Sequence, residues 1–465
     1  MGLYPNTQKE IEKLKLSRAI DAPGVNISLP KGKKVFDFQK VLVPYSTHSK
    51  NILLADPPGV GKTIQVIALL NTLGIDKALI LAPASLLFNW RRELHAWTVR
   101  DLEIGIYSPK TFNPCSPPDI LLCSYNFAAF PETIKALMKW GGWEYLILDE
   151  CHYLKNPNSN RTKYVLAKNG LISQGAPTIA LSGTPMVNRP MELWPIIKNL
   201  CHESIGCMSK FEYGLKFCGG RKMPWGWDFT GATSLPLLGQ SLRSHFMVRR
   251  IKSDVLPQLP PRYTPSVVYA KPNTPAKDAL SRIEAYDEDT IKRQTANAEF
   301  HEISKARREL GLSKVPFVVS YCKELLDAGH DSILLFAHHK EVIDDLKASF
   351  DAMKVSCLTF TGGLSAQEKD DRVTRFQNKS GKIKIFIVSI GAGGVGLTLT
   401  KSSYIVFGEY SWVSTENEQA IDRAHRIGQE SGVCIDYIVY EGTLDERILK
   451  KGFIKQGIID ATMGE

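Results

Sequence analysis

Ten apolar runs of strand length recur along the chain, five between about Asn51 and Leu200 and five between about Asp331 and the C-terminus, with helical patterns between them. The first set is NILLA, ALILA, DILLCS, YLILD and TIALS; the second is SILLFA, CLTF, IKIFIVS, YIVF and CIDYIVY. A near-continuous run of Val, Ile and Leu has no polar face to turn to water, so such a strand must be covered on both sides. Strands of this kind separated by helices are joined by parallel crossovers. The pattern predicts an α/β protein of two units, each a parallel sheet between helical layers. The length of 465 residues agrees, because one hydrophobic core seldom organises so long a chain.

Between the two sets, from about Cys201 to Ser320, the composition shifts to Gly, Pro, Trp and basic residues, as in GGRKMPWGWDF and RRIKSDVLPQLPPR. This predicts an insertion followed by a linker, helical in part from Thr274 to Leu310. The expected organisation is an N-terminal tail over 1–34 whose polar mix is compatible with disorder, a first lobe over 35–200, the insertion and inter-lobe linker over 201–320, a second lobe over 321–450 and a C-terminal tail over 451–465.

Nine cysteines, none in a Cys-x-x-Cys pair, predict reduced thiols in an intracellular protein and neither a zinc site nor a disulfide framework. The opening MGLYPNTQKEIEKLKLS has no apolar segment of signal-peptide type. The most apolar stretch, Val66 to Phe88, is interrupted by Asp76 and Lys77, so no membrane span is expected. A formal net charge of +10 points to a polyanionic partner such as nucleic acid or an acidic membrane.

The first run leads into DPPGVGKT, residues 56–63, and then into the amphipathic IQVIALL. A strand, a glycine-containing loop ending in Gly-Lys-Thr and a helix form the setting of a phosphate-binding loop, although Asp56 stands where the usual pattern has its first glycine. Gly59 and Gly61 permit close backbone approach, and Val60 through Thr63 aim N–H groups and the helix N-terminus at phosphate oxygens. Lys62 is placed to neutralise the β- and γ-phosphates of ATP, and Thr63 to hold Mg²⁺ through its hydroxyl. Pro57 and Pro58 have no N–H to donate, but they precede the donors and leave the cradle intact. A second strand, YLILD, delivers Asp149 and Glu150 at its C-terminal end, the edge where ligands of open parallel sheets bind. Asp149 is the candidate Mg²⁺ ligand, and Glu150 the candidate base that orients and deprotonates the attacking water.

In the second set, ENEQAIDRAHRIGQ places Gln419, Arg423 and Arg426 at spacings of four and three, hence on one face of a helix. A guanidinium brought to a nucleotide from another domain stabilises the phosphoryl-transfer transition state, an effect of about 10³ to 10⁵ in rate. The same spacing also describes a solvated basic face.

Taken in order, FDFQ, DPPGVGKT, LAPASLLFNW, CSYN, DECH, LSGTP, LLFAHHK, FTGGLS, VSIGAGGVGLTLT and QAIDRAHRIGQ resemble the full motif series of a superfamily-two helicase motor, in its Swi/Snf-type double-stranded DNA translocase branch. Within that branch LSGTPMVNRPMELW, RKMPWGWDFTG, RRIKSDVLPQLP and LLFAHHKEV are similar to the HARP-like annealing helicases, which remodel stalled forks. The resemblance covers Phe36 to Leu449. It implies two RecA-like lobes, with a helical and basic Swi/Snf-type insertion between them, that close on ATP and move along one strand of duplex DNA. By the same resemblance Gln39 reads adenine, Ser182 and Thr184 couple hydrolysis to lobe motion, Gly394 and Gly396 form the second lobe's nucleotide loop, and Gln419, Arg423 and Arg426 form the arginine-finger helix.

For DNA, the resemblance implies short polar contacts to phosphates from Ser85, Asn89, Ser124, His338, Thr361 and Ser389, residue types that equally cap helices and close turns. Trp225 and Trp227, beside Arg221 and Lys222, are open to two readings: stacking on a splayed base or a branch point, or anchoring the insertion to the lobe beneath it. The sequence departs from the branch at Pro57 and Pro58, where an acidic residue and a methionine are usual, and near Gly391, where a basic or polar side chain is usual. The expected partner is duplex or forked DNA. No membrane contact is expected, histone engagement has no support in the motifs, and a monomer is the simplest state. The compact motor fits the cytoplasm or nucleoid of a bacterium or phage-infected cell, or the nucleus if the source is eukaryotic. Two competing functions stand beside the translocase: a strand-separating DNA or RNA helicase, and a nonhydrolysing DNA-binding clamp favoured by the loop's prolines.

Overall fold

The computed structural model describes residues 5, 7–186, 189–224, 226–274, 298–393, 397–411, 413–443, 446, 449, 450 and 452. The chain divides into two compact units, one within Met1–Pro257 and the other within Gln258–Gln456.

The first unit is built on β1 (Asn51–Leu54), β2 (Ala78–Ala82), β3 (Ile104–Ile106), β4 (Ile120–Ser124), β5 (Tyr145–Asp149), β6 (Thr178–Leu181) and β9 (Met247–Val248), in the order β3-β4-β2-β5-β6-β1-β9. All neighbours are parallel. Residues of β2, β4, β5 and β6 are buried along their whole length, as expected for a sheet covered on both faces. The order sets β5, β6 and β1 side by side, so the loops leaving their C-terminal ends converge on one edge. β7 (Arg221–Met223) and β8 (Gly226–Asp228) form a separate antiparallel hairpin.

The second unit contains β10 (Ser266–Ala270), β11 (Ile333–Ala337), β12 (Cys357–Phe360), β13 (Ile385–Ser389), β14 (Tyr404–Phe407) and β15 (Cys434–Tyr440), all parallel, in the order β10-β15-β14-β11-β13-β12. Its core centres on β11, β13 and β14 with Leu346 and Phe350 of the helix Lys340–Ala352 and Val318 and Cys322 of the helix Ala298–Asp327.

All ten expected strands are present, and the two-unit α/β reading holds. The chain divides after Pro257, inside the stretch expected to hold the insertion and the linker. β9, which follows the insertion, completes the first sheet beside β1, and β10 opens the second sheet beside β15. The N-terminal tail is not featureless: Gln8–Arg18 is a helix, α1, begun by a capping box in which Thr7 and Glu10 exchange hydrogen bonds. It is held by Lys13 Nζ on the His245 carbonyl at 2.6 Å and by the Ser17 carbonyl, which accepts the Arg249 N–H at 3.1 Å. Its apolar side chains show no helical stripe, so periodicity gives no sign of it; polar contacts to the insertion supply the hold. No described helix is long and apolar enough to cross a membrane.

Candidate nucleotide site

The loop between β1 and the helix Lys62–Leu73 has Gly59 at φ 83° and Gly61 at φ 81°, the left-handed region open mainly to glycine. Gly61 is also constrained by space, because a Cβ there would lie 2.6 Å from Gln39 Nε2. Gln39, in the short turn Asp37–Val41, accepts the Phe36 N–H at 3.0 Å and donates to the Val60 carbonyl at 2.9 Å, so the adenine-reading candidate is bonded to the phosphate loop. Lys62 Nζ lies on the Asp56 and Pro57 carbonyls at 2.9 and 3.2 Å, and Thr63 follows it in the first turn of the helix.

Asp56 has a part that the glycine it replaces does not have. Its carboxylate is buried and paired with the buried Arg250, which donates through Nη2 to Oδ2, through Nε to Oδ1 at 3.0 Å and through its backbone N–H to Oδ1 at 3.1 Å. Gln65 Nε2 adds a bond to Oδ2 at 3.0 Å. The same guanidinium reaches the Phe38 carbonyl and Gln65 Oε1, and lies 5.3 Å from the Phe38 ring. Burial opposes the charge on Asp56, but the Arg250 cation and its hydrogen bonds outweigh it and hold the carboxyl below the usual carboxylate range. Arg249 binds the Ala55 and Gly183 carbonyls. One Arg-Arg pair at the end of β9 thus ties together the turn carrying Gln39, the phosphate loop and the loop after β6.

At the end of β5, Asp149 is buried with both oxygens engaged. Trp90 Nε1 donates to Oδ2 at 2.7 Å, and the Glu150 N–H donates to Oδ1 at 2.9 Å. Burial and the adjacent Glu150 carboxylate push the Asp149 carboxyl up to about 7, against the pull of Trp90 and Lys62. Asp149 and the Thr63 hydroxyl are both oxygen donors, the kind a hard divalent cation takes. Glu150 has φ 48°, strained for a residue with a side chain and typical of functional positions. Its Oε2 accepts the Ser182 hydroxyl at 3.2 Å and lies 3.2 Å from His152 Nδ1; Ser182 Oγ is 3.0 Å from that nitrogen and accepts the Thr184 N–H at 3.2 Å. Glu150 and the coupling candidates Ser182 and Thr184 therefore share one network. Its fourth member is His152, the last residue of DECH, whose part in the network the motif's spacing alone does not reveal.

In the second unit the helix carrying Gln419 is Ser414–Ile421 and ends before the two arginines. Arg423 and Arg426 lie in the turns beyond it, so the single helical face expected from their spacing does not form. There the Arg423 and Ala424 N–H groups bond three residues back, to the Ala420 and Ile421 carbonyls at 3.2 and 3.0 Å, so the chain tightens into turns. Arg423 is buried, and Arg426 Nη1 donates to the Leu397 carbonyl at 2.8 Å. The chain entering this unit straps the segment down. Arg262 is bidentate on Glu418 at 2.5 and 2.9 Å, and His425 Nε2 lies 2.9 Å from the Pro260 carbonyl. Gly394 and Gly396 lie outside the described residues.

The DNA candidates fall into different settings. Ser85 is exposed in the turn Ala84–Leu86, and Asn89 is half-buried, accepting Arg92 Nη2 at 2.8 Å. Ser124 is buried and its hydroxyl caps the Phe127 N–H at 3.2 Å, the turn role its residue type also allows. His338 is exposed, with its N–H on Glu409 at 2.8 Å, while Thr361 and Ser389 are half-buried after β12 and at the end of β13. Trp227 remains 46% exposed, but its ring packs edge-on to Phe211 at 5.0 Å and parallel to Phe229 at 6.2 Å, which favours an anchoring role. Trp225 lies outside the described residues.

A parallel sheet whose phosphate loop and acidic strand end meet at one edge, in a chain with a second parallel-sheet unit, defines the class of helicase-type nucleotide-binding motors. Family comparison agrees: residues 36–308 match the SNF2-related domain, and residues 318–428 match the helicase conserved C-terminal domain. The chain belongs to the SNF2-related family. Among its relatives, the SWI/SNF-related matrix-associated actin-dependent regulator of chromatin subfamily A-like protein 1 of Xenopus laevis is 30% identical over 444 residues, 94% of this chain and 44% of that protein. The human DNA annealing helicase and endonuclease ZRANB3 is 31% identical over 427 residues, 89% of this chain and 39% of that protein. The chain thus spans less than half the length of either relative. The Sulfolobus solfataricus SWI2/SNF2 ATPase core in complex with dsDNA aligns over 92% of this chain and 94% of its own, with 22% identity and a TM-score of 0.42.

Proposed function

We propose that the chain hydrolyses ATP with Mg²⁺ and uses the energy to move along duplex DNA, with forked DNA as its preferred substrate and fork remodelling or annealing as the outcome. The observation that carries this reading is the network at the sheet edge, where Glu150 is bonded to Ser182 and sits beside Asp149, at the edge where the phosphate loop begins. A clamp without hydrolysis has no use for that arrangement. The proline pair that would favour a clamp is accommodated by packing, with Pro58 set closely against Gly183.

In this reading Gly59 to Thr63 hold the phosphates, Lys62 leaves its loop carbonyls for the γ-phosphate, and Gln39 reads adenine. Mg²⁺, held by Thr63 and Asp149, would offset charge on the β- and γ-phosphate oxygens. Glu150 accepts a proton from water as its oxygen bonds to the γ-phosphorus and the bond to the β,γ-bridging oxygen breaks, giving ADP and phosphate. Gln419, Arg423 and Arg426 serve the same nucleotide from the second unit, and Ser85, Asn89, His338, Thr361 and Ser389 contact DNA phosphates. The Glu150–Ser182 bond would change with the state of the γ-phosphate and pass that change to the loop after β6.

The test is ATP turnover with buffer, single strands, duplex, forked DNA or RNA. Stimulation by forks above duplex is expected; stimulation by RNA alone, or by no DNA, would refute the reading. Glu150→Gln should lower turnover by at least about 10² while ATP still binds, the scale of losing a general base.

A further inference from the structure

Trp90 joins two parts of the first unit that the proposed function assigns to different tasks. It belongs to the helix Leu87–Trp97, which follows the turn Ala84–Leu86; Ser85 in that turn and Asn89 beside Trp90 are candidate DNA contacts. The ring is buried, and Nε1 reaches across from the strand-β2 side to the end of neighbouring β5, where it meets Asp149 Oδ2 at 2.7 Å. A bond of that length to a carboxylate is of the charge-assisted, stronger kind.

The two donors on Asp149 are of different origin. Oδ1 is held by the Glu150 N–H, fixed to the strand end itself. Oδ2 is held by a rigid side chain whose backbone belongs to the segment carrying Ser85 and Asn89. A displacement of that segment therefore acts on one carboxylate oxygen and leaves the other fixed, which rotates the group that faces the cation and the phosphates.

We propose that Trp90 is a positioning residue that couples binding of a DNA phosphate backbone at the Ser85–Asn89 segment to the orientation of Asp149, and hence to binding of Mg²⁺ and nucleotide. This rests on the function proposed above. Because coupling is reciprocal, ADP with Mg²⁺ must change DNA affinity by the same factor as DNA changes nucleotide affinity.

The test measures both affinities in the full chain: a labelled duplex by fluorescence anisotropy, with and without saturating ADP and Mg²⁺, and a fluorescent ADP analogue with and without duplex. In the parent the two routes should give one common factor of about ten, within the usual range for coupled sites. Trp90→Phe keeps a ring and removes the N–H; the factor should fall to within about twofold of unity while duplex affinity without nucleotide stays near the parent's, the bond lost to the buried carboxylate showing separately as a lowered melting temperature. Should Trp90→Phe not fold, benzothienylalanine at position 90 keeps the indole shape without the N–H and is held to the same expectation. Retention of the parent's factor in either variant would overturn the proposal and leave Trp90 as core packing. A parent that binds both ligands with a factor of one would also overturn it, with the proposed function intact. A parent that binds no duplex would remove the proposed function itself.

Discussion

Arg250→Met tests the claim that the phosphate loop is held from behind by a buried ion pair. In the parent, Arg250 gives Asp56 two side-chain bonds and the Phe38 carbonyl and Gln65 one each. Methionine fills the space but supplies none of these, leaving Asp56 buried with Gln65 and the residue 250 backbone N–H as partners. Removing one member of a buried pair costs about 3–5 kcal/mol, chiefly because the other charge is stranded. Adding Asp56→Asn removes that stranded charge, so the double variant should recover at least about 1 kcal/mol over Arg250→Met, within the range seen for contacting residues. Calorimetry of the full chain, reading the transition that shifts with added ADP, gives the values. The pH dependence supplies an independent sign. The Asp56 carboxyl is held below its unfolded value of about 4, so its contribution in the parent is complete above that pH and is lost as pH falls through the lower, folded value. In Arg250→Met, burial without the cation raises that carboxyl, and protonation relieves the stranded charge. The deficit of the variant should thus be largest at neutral pH and shrink toward pH 4. A deficit under about 1 kcal/mol at pH 7, or one that grows as pH falls, would refute the account.

Arg262→Ala removes the bidentate hold on Glu418, next to Gln419; turnover should fall by about tenfold or more, the scale of a charge-assisted hydrogen bond, with Km for ATP changed less. Unchanged turnover would mean that the strap does not position the segment. Replacing Pro57 and Pro58 by an acidic residue and methionine frees two fixed φ angles and should alter apparent ATP affinity more than turnover; a large gain in turnover would show the parent loop to be impaired. Gly183→Ala places a Cβ 2.6 Å from Pro58 Cγ and 3.0 Å from the Pro58 nitrogen, so the two loops must separate and ATP turnover should drop. The proline replacement should restore part of it only if the ring, and not the backbone, is the obstacle.

What the sequence makes legible is what short segments decide by themselves. A run such as YLILD is buried on both faces wherever it lies, so the ten strands could be read without knowing their neighbours. DPPGVGKT and DECH are likewise local, because their chemistry needs adjacent residues. The pairings that support them are not local. Arg250 and Asp56 are 194 residues apart and Trp90 and Asp149 are 59 apart, and nothing in the spacing of either pair marks it. β9 has only two residues, too few for any alternation, and exists because β1 offers it a free edge. Arg423 and Arg426 obey the same limit: their spacing is local, but whether the helix runs on past Ile421 is decided by the fold around it, and the chain there tightens into turns.

These distant links explain why Asp56 can replace a glycine without spoiling the loop. A glycine there has no side chain to anchor, whereas the aspartate gives β9 a fixed point on the loop through Arg250. Since β9 leaves the helix Leu235–His245, and that helix also receives α1 through the His245 carbonyl, the insertion and the N-terminal helix bear on the same point. A force on the insertion reaches the phosphate loop along the short stretch from His245, the last residue of the helix, through β9 to Arg250. Arg249 splits that run's effect between Ala55 before the loop and Gly183 beside the Glu150 network. The phosphate loop and the Glu150 network are thereby tied to one strand, which neither the loop motif nor the acidic motif requires when read alone.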